Sequence, residues 1–263
     1  MEKIYIGTSG YSYSDWKGVF YPEKMINSDF LEYYARYFNF VELNFSYYQK
    51  IKRKTLLNMS SKVPENFIFT IKAHQNLTHL RRHDWLDDIS DFVDNISILN
   101  EKGQLGGVLL QFPFSFHYNP DNRIYLSKLC NSMPEFPLFT EFRNSGWQNN
   151  RVKYELGKRG IGVISTDMPI MDKLPDNTVY KTGNDIYIRL HGRNNKNWWT
   201  GDNISRYDYL YSNNELHEKY NDITNLPDQS KRIFIAFNNH YKGQAVQNAK
   251  SMQKLFHYTG AVQ

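Results

Sequence analysis

The chain has 263 residues, of which 40% are hydrophobic and 22% charged, and its formal net charge is +5. This length fits one α/β barrel of about 250 residues, whereas apolar runs of about five residues are too short to cross a bilayer. The single cysteine, Cys130, excludes an intramolecular disulfide framework.

A cytoplasmic location and no membrane partner are therefore expected, because reducing compartments are where unpaired cysteines persist. Met1-Glu2-Lys3 leads directly into the first apolar run, so no signal peptide is expected. The positive charge is interpreted mainly as solvated surface, although it can attract phosphate-bearing partners. The sequence gives no indication of the oligomeric state.

Eight short apolar runs recur along the chain, and most of them end in a polar or charged side chain. In chain order they cover residues 4–6, 40–41, 67–71, 108–110, 138–139, 161–164, 186–188 and 233–237. Their starts lie roughly 33 residues apart, which suits a strand followed by a crossover helix. Continuous apolar runs, rather than alternating ones, are typical of parallel strands buried on both faces.

Helical periodicity appears between several of these runs, as apolar stripes spaced three or four residues apart. The stripes are Phe30, Tyr34 and Phe38; Ile89, Phe92, Val93, Ile96 and Leu99; Leu126, Leu129, Cys130 and Met133; and Ala245, Ala249, Met252 and Phe256. Ser212 and Glu215 have the spacing of a capping box. No clear helix follows the sixth run, which leaves an open doubly wound sheet as the alternative. The count of eight favours a single-domain (β/α)8 TIM-type barrel over residues 1–263.

In such a barrel all strand ends open onto one face, and that face carries the chemistry. The candidate catalytic residues are Glu42, Lys72, Glu141, Asp167, Arg189 and His191. The candidate substrate-binding residues are Thr8, Asn44, His74, Gln111, Arg143, Arg193, Asn238, Asn239, His240 and Gly243. Alternatively, these charges pair among themselves and only close the mouth of the barrel.

The mixed set of acids and bases predicts an enzyme that acts on a small polar anion bearing phosphate or carboxylate. Glu141 and Glu42 are the candidate general acid and base. Lys72 and Arg189 are expected to stabilise developing negative charge. Hydrolase, isomerase and lyase chemistry all remain open.

The last two loops predict an anion site in the place where this fold usually binds phosphate. Arg193 follows the seventh run, and Lys242 and Gly243 precede a helix that opens at Gln244. The segment Gly7-Thr8-Ser9-Gly10 after the first run is a weaker candidate and is also compatible with a tight turn.

No nucleotide-cofactor motif is present, so the cofactor is unknown. His79 and His83 have i, i+4 spacing but no obvious third ligand, so no metal residues are assigned, although a metal site at the mouth is not excluded. Cys130 lies on an apolar helical face, which disfavours a cysteine nucleophile. Aromatic residues in 11–17 and 197–199 fit either a stacking platform or a packed lid. Nucleic-acid binding and non-catalytic metabolite binding are therefore the alternative functions.

A set of motifs along nearly the whole chain resembles the YecE-like proteins, known as domain of unknown function seventy-two. These motifs are Gly7-Thr8-Ser9-Gly10-Tyr11, Asp15-Trp16, Phe20-Tyr21-Pro22, Val41-Glu42-Leu43-Asn44, Tyr47-Tyr48, Lys72-Ala73-His74, Thr78-His79, Gln111-Phe112-Pro113, Ser115-Phe116, Glu141-Phe142-Arg143, Trp147, Arg189-Leu190-His191-Gly192 and Phe237-Asn238-Asn239-His240. The resemblance implies a TIM-type barrel but no settled reaction. Barrels of this family have been likened to metal-dependent apurinic endonucleases, which suggests nucleic-acid binding by fold analogy alone.

The chain departs from the family pattern at two places. Tyr48-Gln49-Lys50 lacks a proline that is common there, and Phe114 stands where a second proline often follows Pro113. Both departures are expected to change loop shape rather than chemistry. The chain also lacks the dense run of His, Asp and Glu ligands that the metal-dependent endonucleases need.

Overall fold

A computed structural model describes residues 3–82, 84–202, 204–226 and 231–258, and its centre is a sheet of nine parallel strands. The strands are β1 (Lys3–Ser9), β2 (Phe40–Leu43), β3 (Ile68–Lys72), β4 (Leu105–Phe112), β5 (Leu138–Phe142), β6 (Gly162–Val163), β7 (Ser165–Asp167), β8 (Ile186–Leu190) and β9 (Arg232–Phe237). Each predicted apolar run contributes to the sheet. The sixth run differs from expectation because the strand divides into β6 and β7.

The strand order shows how the sheet closes. Neighbouring strands follow the order β6-β5-β4-β3-β2-β1-β9-β8-β7, so the two ends of the sheet are consecutive in the chain. Only Ile164 separates β6 from β7, and its N–H donates to the Thr140 carbonyl at 2.9 Å. The sheet is thus a nearly closed barrel. The TIM-type barrel is confirmed, and the open doubly wound sheet is not the architecture.

Helices connect the strands, and the longer ones pack on the outside of the barrel. They are α1 (Phe30–Tyr34), α2 (Phe45–Tyr48), α3 (Arg53–Ser60), α4 (Trp85–Glu101), α5 (Pro120–Asn131), α6 (Asn150–Lys158), α7 (Asn213–Thr224) and α8 (Gln244–Tyr258). The predicted capping box is confirmed, since the Ser212 and Glu215 side chains each bond the other's backbone N–H. Residues 168–185, all of them described, contain no helix. Among the described helices, none has the length and hydropathy needed to span a membrane.

Two apolar layers position the site. The larger lies between the helices and the outside of the barrel. The smaller, which we call the barrel plug, fills the inside and consists of Tyr5, Phe40, Ile68, Leu109, Phe139, Ile164, Tyr187, Phe234 and Ala236. Because these side chains fill the lower part of the interior, polar side chains further along the same strands are held above them.

Gly7 lies within β1 rather than in the turn that the sequence suggested. A Cβ atom here would overlap the carbonyl oxygen of Phe40 and lie 2.9 Å from the Tyr34 hydroxyl, which bridges β1 and β2. We expect Gly7→Ala to lower the free energy of unfolding by about 2–3 kcal/mol, as overpacked sites do. Urea denaturation followed by circular dichroism measures the change.

Gly157→Ala in α6 is the matched control for Gly7→Ala. A Cβ atom at Gly157 meets its nearest heavy atom at 3.4 Å, an ordinary contact. Alanine favours helix over glycine by up to about 1 kcal/mol, so this variant should be unchanged or more stable. Equal denaturation midpoints for the two variants would contradict the close-approach role of Gly7.

Candidate active site

The polar interior of the barrel follows the period-two alternation of strands, in which every second side chain points inward. Two positions beyond the barrel plug lie Glu42, Thr70, Gln111, Glu141 and Arg189. Four positions beyond it, at or just past the strand ends, lie Lys72, Arg143 and His191, and Asn238 follows Ala236 of the plug by two positions. Strand geometry therefore brings these residues together from distant parts of the sequence.

Arg189 connects the two buried carboxylates of this interior. Its Nε and Nη2 atoms donate to Glu42 at 2.8 and 2.6 Å, and its Nη1 atom donates to Glu141. Tyr187 also donates to Glu42, at 2.6 Å. The side chains of Arg189 and both glutamates are 2% exposed or less. Every oxygen of Glu42 is thus engaged within the protein, which leaves it poorly placed to exchange protons with a substrate.

Glu141 is held as a carboxylate by its neighbours. Burial alone would raise its pKa, but the guanidinium groups of Arg143 and Arg189 outweigh burial and hold that pKa well below its usual range. A carboxyl group that stays ionised cannot serve as a general acid near neutral pH. Its contacts instead suit it to orienting Arg143, whose Nε atom donates to it.

His191 is neutral in this environment. Burial first, and then the positive charge of Arg143, lower its pKa to about 3. The Arg143 Nη2 atom lies 3.3 Å from His191 Nε2, and the Asn238 amide nitrogen lies 3.0 Å from Nδ1. His191 is fully buried. It therefore acts as an uncharged support for Arg143.

The amine of Lys72 has no ion-pair partner among the residues that the structure describes. Its Nζ atom lies 4.2 Å from the centre of the Tyr47 ring, and it forms no ion pair or hydrogen bond with any residue that the structure describes. Burial first, and then the charge of Arg189, lower its pKa to about 7. The positive charges of Arg143 and Arg189 already balance the negative charges of the two buried glutamates. No acidic side chain is therefore left to pair with the Lys72 amine.

A cavity of about 260 Å³ opens above Lys72. Its lining is Tyr47, Tyr48, Lys72, His79, Gln111, Pro113, Phe114, Arg143, Leu174, Trp198, Trp199, Arg206 and Tyr207. These lining residues, all within the described ranges, include three cationic side chains and no acidic one. Burial first, and then the charge of Lys72, lower the pKa of His79 to about 4, so that ring is neutral. The cavity therefore has the charge and shape for a small anion.

Arg206 adds a cation with spare hydrogen-bonding capacity. Its Nη2 atom donates to the Gly201 carbonyl at 3.3 Å, while its buried Nε atom has no partner among the residues that the structure covers. The exposed rings of Tyr48 and Trp199, 62% and 50% accessible, stand at the rim. Guanidinium groups with free donors are well suited to carboxylate or phosphate.

Asp167 and Arg193 belong to a second charged cluster, outside the barrel. Arg193 donates to both oxygens of Asp167 at 2.8 and 2.7 Å, and Lys219 of α7 lies 3.4 Å from the same carboxylate. Tyr211 donates to Asp167 at 2.9 Å. Asp167 lies three positions beyond Ile164 of the barrel plug, an odd number, so its side chain points to the outer face of the sheet rather than into the barrel. This cluster fastens β7 and the loop after β8 to α7.

The remaining candidates also lie away from the cavity lining. Thr8 donates to the Gly10 carbonyl at 2.6 Å, and Asn239 donates to Tyr209 and Asn248. His240 stacks on Tyr13 with ring centres 4.6 Å apart. The other three are Asn44, His74 and Gly243. Their predicted roles in binding substrate remain predictions.

The predicted phosphate site has donors that are already engaged. Arg193 binds Asp167, and the backbone N–H of Lys242, near the start of α8, donates to Asp15 at 2.7 Å. Gly243 has a positive φ of 73°, and a Cβ atom there would lie 2.9 Å from Val19. An anion at this position would therefore compete with the Asp15 carboxylate.

Several residues of the cavity were not among the predicted site residues. They are Tyr47, Tyr48, His79, Pro113, Phe114, Leu174, Trp198, Trp199, Arg206 and Tyr207. The available signal was the long segment 191–212 between β8 and α7, since long loops in compact domains are usually functional. The sequence around Trp198-Trp199 fits a stacking platform or a packed lid, whereas Arg206 carries no sequence signal of its own.

No group of three or more His, Cys, Asp or Glu side chains within residues 3–82, 84–202, 204–226 and 231–258 is arranged to hold a metal ion. The spacing of His79 and His83 cannot be followed further, because His83 lies outside the described residues. His79 itself lies 4.9 Å from Tyr47, ring centre to ring centre.

The fold and the mouth together define a TIM-type barrel protein with a cationic pocket lined by aromatic rings. Residues 5–262 match the family model described as "Protein of unknown function DUF72". The chain therefore belongs to the DUF72 family, which confirms the resemblance drawn from its motifs.

Relatives and solved structures agree with this assignment. UPF0759 protein YunF of Bacillus subtilis (strain 168) is 28% identical over 268 residues, which cover 96% of this chain and 94% of that protein. The crystal structure of a DUF72 family protein from Thermotoga maritima MSB8 is similar with a TM-score of 0.90 and 37% identity, covering 97% of this chain and 100% of the other. A DUF72 family protein from Enterococcus faecalis V583 has a TM-score of 0.84 at 23% identity, with 97% and 95% covered, which supports the fold.

Proposed function

We propose that this protein is an enzyme that binds a small organic anion in the mouth cavity and transfers a proton through the Lys72 amine. The observation that carries the proposal is an amine without a counter-ion at a cavity that has three cations and no acid in its described lining. A base whose pKa lies near the working pH is the most effective proton-transfer group. This places the acid–base role on Lys72 rather than on Glu42 and Glu141.

The other two cations of the cavity, Arg143 and Arg206, are assigned to anion binding. Arg143 and Arg206 bind the carboxylate or phosphate of the ligand, since guanidinium groups pair with both oxygens of such an anion. Glu141 and His191 keep Arg143 in place through the contacts described above. Gln111, which lies beside them in the cavity lining, offers a neutral amide for a further polar group of the substrate.

A second candidate function, nucleic-acid binding, is favoured by the exposed rings of Tyr48 and Trp199 at the rim. Bases stack on such rings, and basic side chains contact the phosphates. This function predicts an affinity that falls steeply with salt. A volume of about 260 Å³ favours the small molecule, because ligand pockets begin near this size.

Arginine-to-glutamine changes test the proposed anion site. We expect Arg143→Gln and Arg206→Gln each to weaken binding of small carboxylates and phosphates about tenfold or more, because a hydrogen bond to a charged group contributes about 1.5–3 kcal/mol. Titration calorimetry and tryptophan fluorescence measure the affinity. Arg36→Gln is the matched control, since Arg36 is 64% exposed and pairs with Glu32 on the surface.

The comparison has clear adverse outcomes. If all three variants bind as the parent does, or if no member of a broad panel of organic anions binds, the proposed site is wrong. Binding without turnover of any ligand, in a screen that includes divalent metals, would indicate a non-catalytic metabolite-binding barrel instead.

A further inference from the structure

We infer that Lys72 forms a covalent imine with the carbonyl carbon of a small oxo acid held in the mouth cavity. This inference rests on the proposed function and narrows it, since it names both the substrate class and the nucleophile. The ligand needs two features, a carboxylate for the guanidinium groups and an aldehyde or ketone carbon for the amine.

The first support is the position of the amine. Lys72 is the last residue of β3, and its Nζ atom lies over the face of Tyr47 at the cavity, without an ion pair in the described structure. By contrast, buried Lys219 of α7 is fixed by Asp167 and Asp222 at 3.4 and 3.0 Å. A lysine locked in ion pairs cannot attack a carbonyl, whereas an unpaired amine can.

The second support is the electrostatic environment of the amine. The charged and titratable groups that act on it or face it are Arg189, Arg143, Glu141, Glu42, His79 and Tyr47. Burial, with Arg189 and Arg143 outweighing the carboxylates, lowers the Lys72 pKa to about 7. A substantial share of this amine is therefore neutral at neutral pH. Desolvation and a neighbouring cation are the two ways in which proteins activate lysine as a nucleophile.

The third support is that the anion-binding groups share the cavity with the amine. Arg143 and Arg206 line the same space as Lys72. In an oxo acid the carboxylate and the carbonyl carbon are close together, so a carboxylate held by these guanidinium groups brings the carbonyl carbon to the amine. Such positioning converts a slow bimolecular condensation into a fast one.

The step balances without an oxidant or reductant. The neutral Lys72 nitrogen attacks the carbonyl carbon, the C=O electron pair moves to oxygen, and a proton passes from nitrogen to that oxygen to give a carbinolamine. The carbinolamine then takes up one proton and loses its hydroxyl group as water. A protonated C=N bond to Lys72 remains, and it can draw electrons from an adjacent C–H or C–C bond.

Reductive trapping tests this inference. The full chain is incubated with pyruvate or glyoxylate and sodium cyanoborohydride at pH 7, digested, and mapped by mass spectrometry. We expect one adduct per chain, on the peptide that contains Lys72, forming about tenfold or more faster than adducts on exposed lysines. Lys219 is the internal control for a buried lysine and should remain unmodified. Because the map uses the unaltered protein, it does not depend on a variant that folds.

The outcomes separate this inference from the proposed function. Calorimetry can show that pyruvate or glyoxylate binds the parent protein and binds Arg143→Gln more weakly. If Lys72 nevertheless remains unmodified, the imine inference is wrong, while the proposed anion site is supported. Adducts only on exposed lysines, equal in the parent and in Lys72→Met, also overturn it. If no organic anion binds at all, the proposed function is wrong as well.

Discussion

Replacing Arg189 with leucine is expected to lower the free energy of unfolding by about 3–5 kcal/mol, because it leaves two buried carboxylates without their shared partner. Arg189 is 2% exposed and contacts both Glu42 and Glu141. The charge of Arg143 compensates Glu141 in part, so Glu42 carries most of the penalty. Urea denaturation followed by circular dichroism gives the value.

Two further variants make the Arg189 result specific. Arg36→Leu removes a surface partner of Glu32, where both side chains are more than 60% exposed, and should change stability by no more than about 0.5 kcal/mol. Combining Arg189→Leu with Glu42→Leu should recover part of the loss, because the orphaned charge is then gone. Losses of equal size in the Arg189 and Arg36 variants would contradict a buried ion network.

Replacing Lys72 with methionine is expected to stabilise the protein at neutral pH, by an amount on the order of 3 kcal/mol. The folded protein lowers the Lys72 pKa from 10.5 to about 7. Below the folded pKa, both states carry the proton and the folded state bears the full cost of a buried charge. Between the two values the unfolded state binds more protons, so the stability of the parent rises with pH. The advantage of Lys72→Met should therefore shrink steadily as the pH rises from neutral toward 10.5.

Denaturation of the parent and the Lys72 variant across this pH range checks both the sign and the trend. Lys54→Met on the exposed side of α3 is the control, and its effect should stay within about 0.5 kcal/mol at every pH. A Lys72→Met protein that is less stable at neutral pH, or a stability difference that does not change with pH, would contradict a partly buried amine without an ion-pair partner. Functional sites often lower the stability of a protein, so removing the reacting group is expected to raise it.

The architecture was accessible from the sequence because strand burial leaves a strong signal. Apolar runs such as 67–71 and 233–237 form strands that carry apolar side chains on both faces, and these strands can bury both faces only between a packed interior and a layer of helices. The division of the sixth strand at Ile164 was not accessible, because the break interrupts backbone pairing without changing the apolar pattern of the run.

The site was accessible in part. Polar residues near the strand ends are all predicted to face the mouth if alternation is ignored, although a shift of one residue turns a side chain to the other face. Glu141 and Arg189 fall on the inner positions, whereas Thr8 and Asp167 fall on the outer ones. Strands that are apolar on both faces show no alternation, so the sequence alone does not reveal which positions point inward.

The aromatic part of the cavity was the least accessible. Phe114 meets Trp199 with ring centres 5.0 Å apart, and Arg143 lies 5.7 Å from the centre of the Trp198 ring. These contacts join loops from different strands, and their conformations are not set by local residue preferences. Only the barrel, once closed, determines which loops meet above it.

The Arg189 contacts also bear on the time course of folding. The guanidinium group joins β8 to a glutamate 147 positions earlier in the chain, and to another 48 positions earlier. Such distant partners meet only after most of the intervening chain has wound around the axis. The ion network therefore forms after the transition state of folding. We expect its loss in Arg189→Leu to increase the unfolding rate and to leave the refolding rate nearly unchanged.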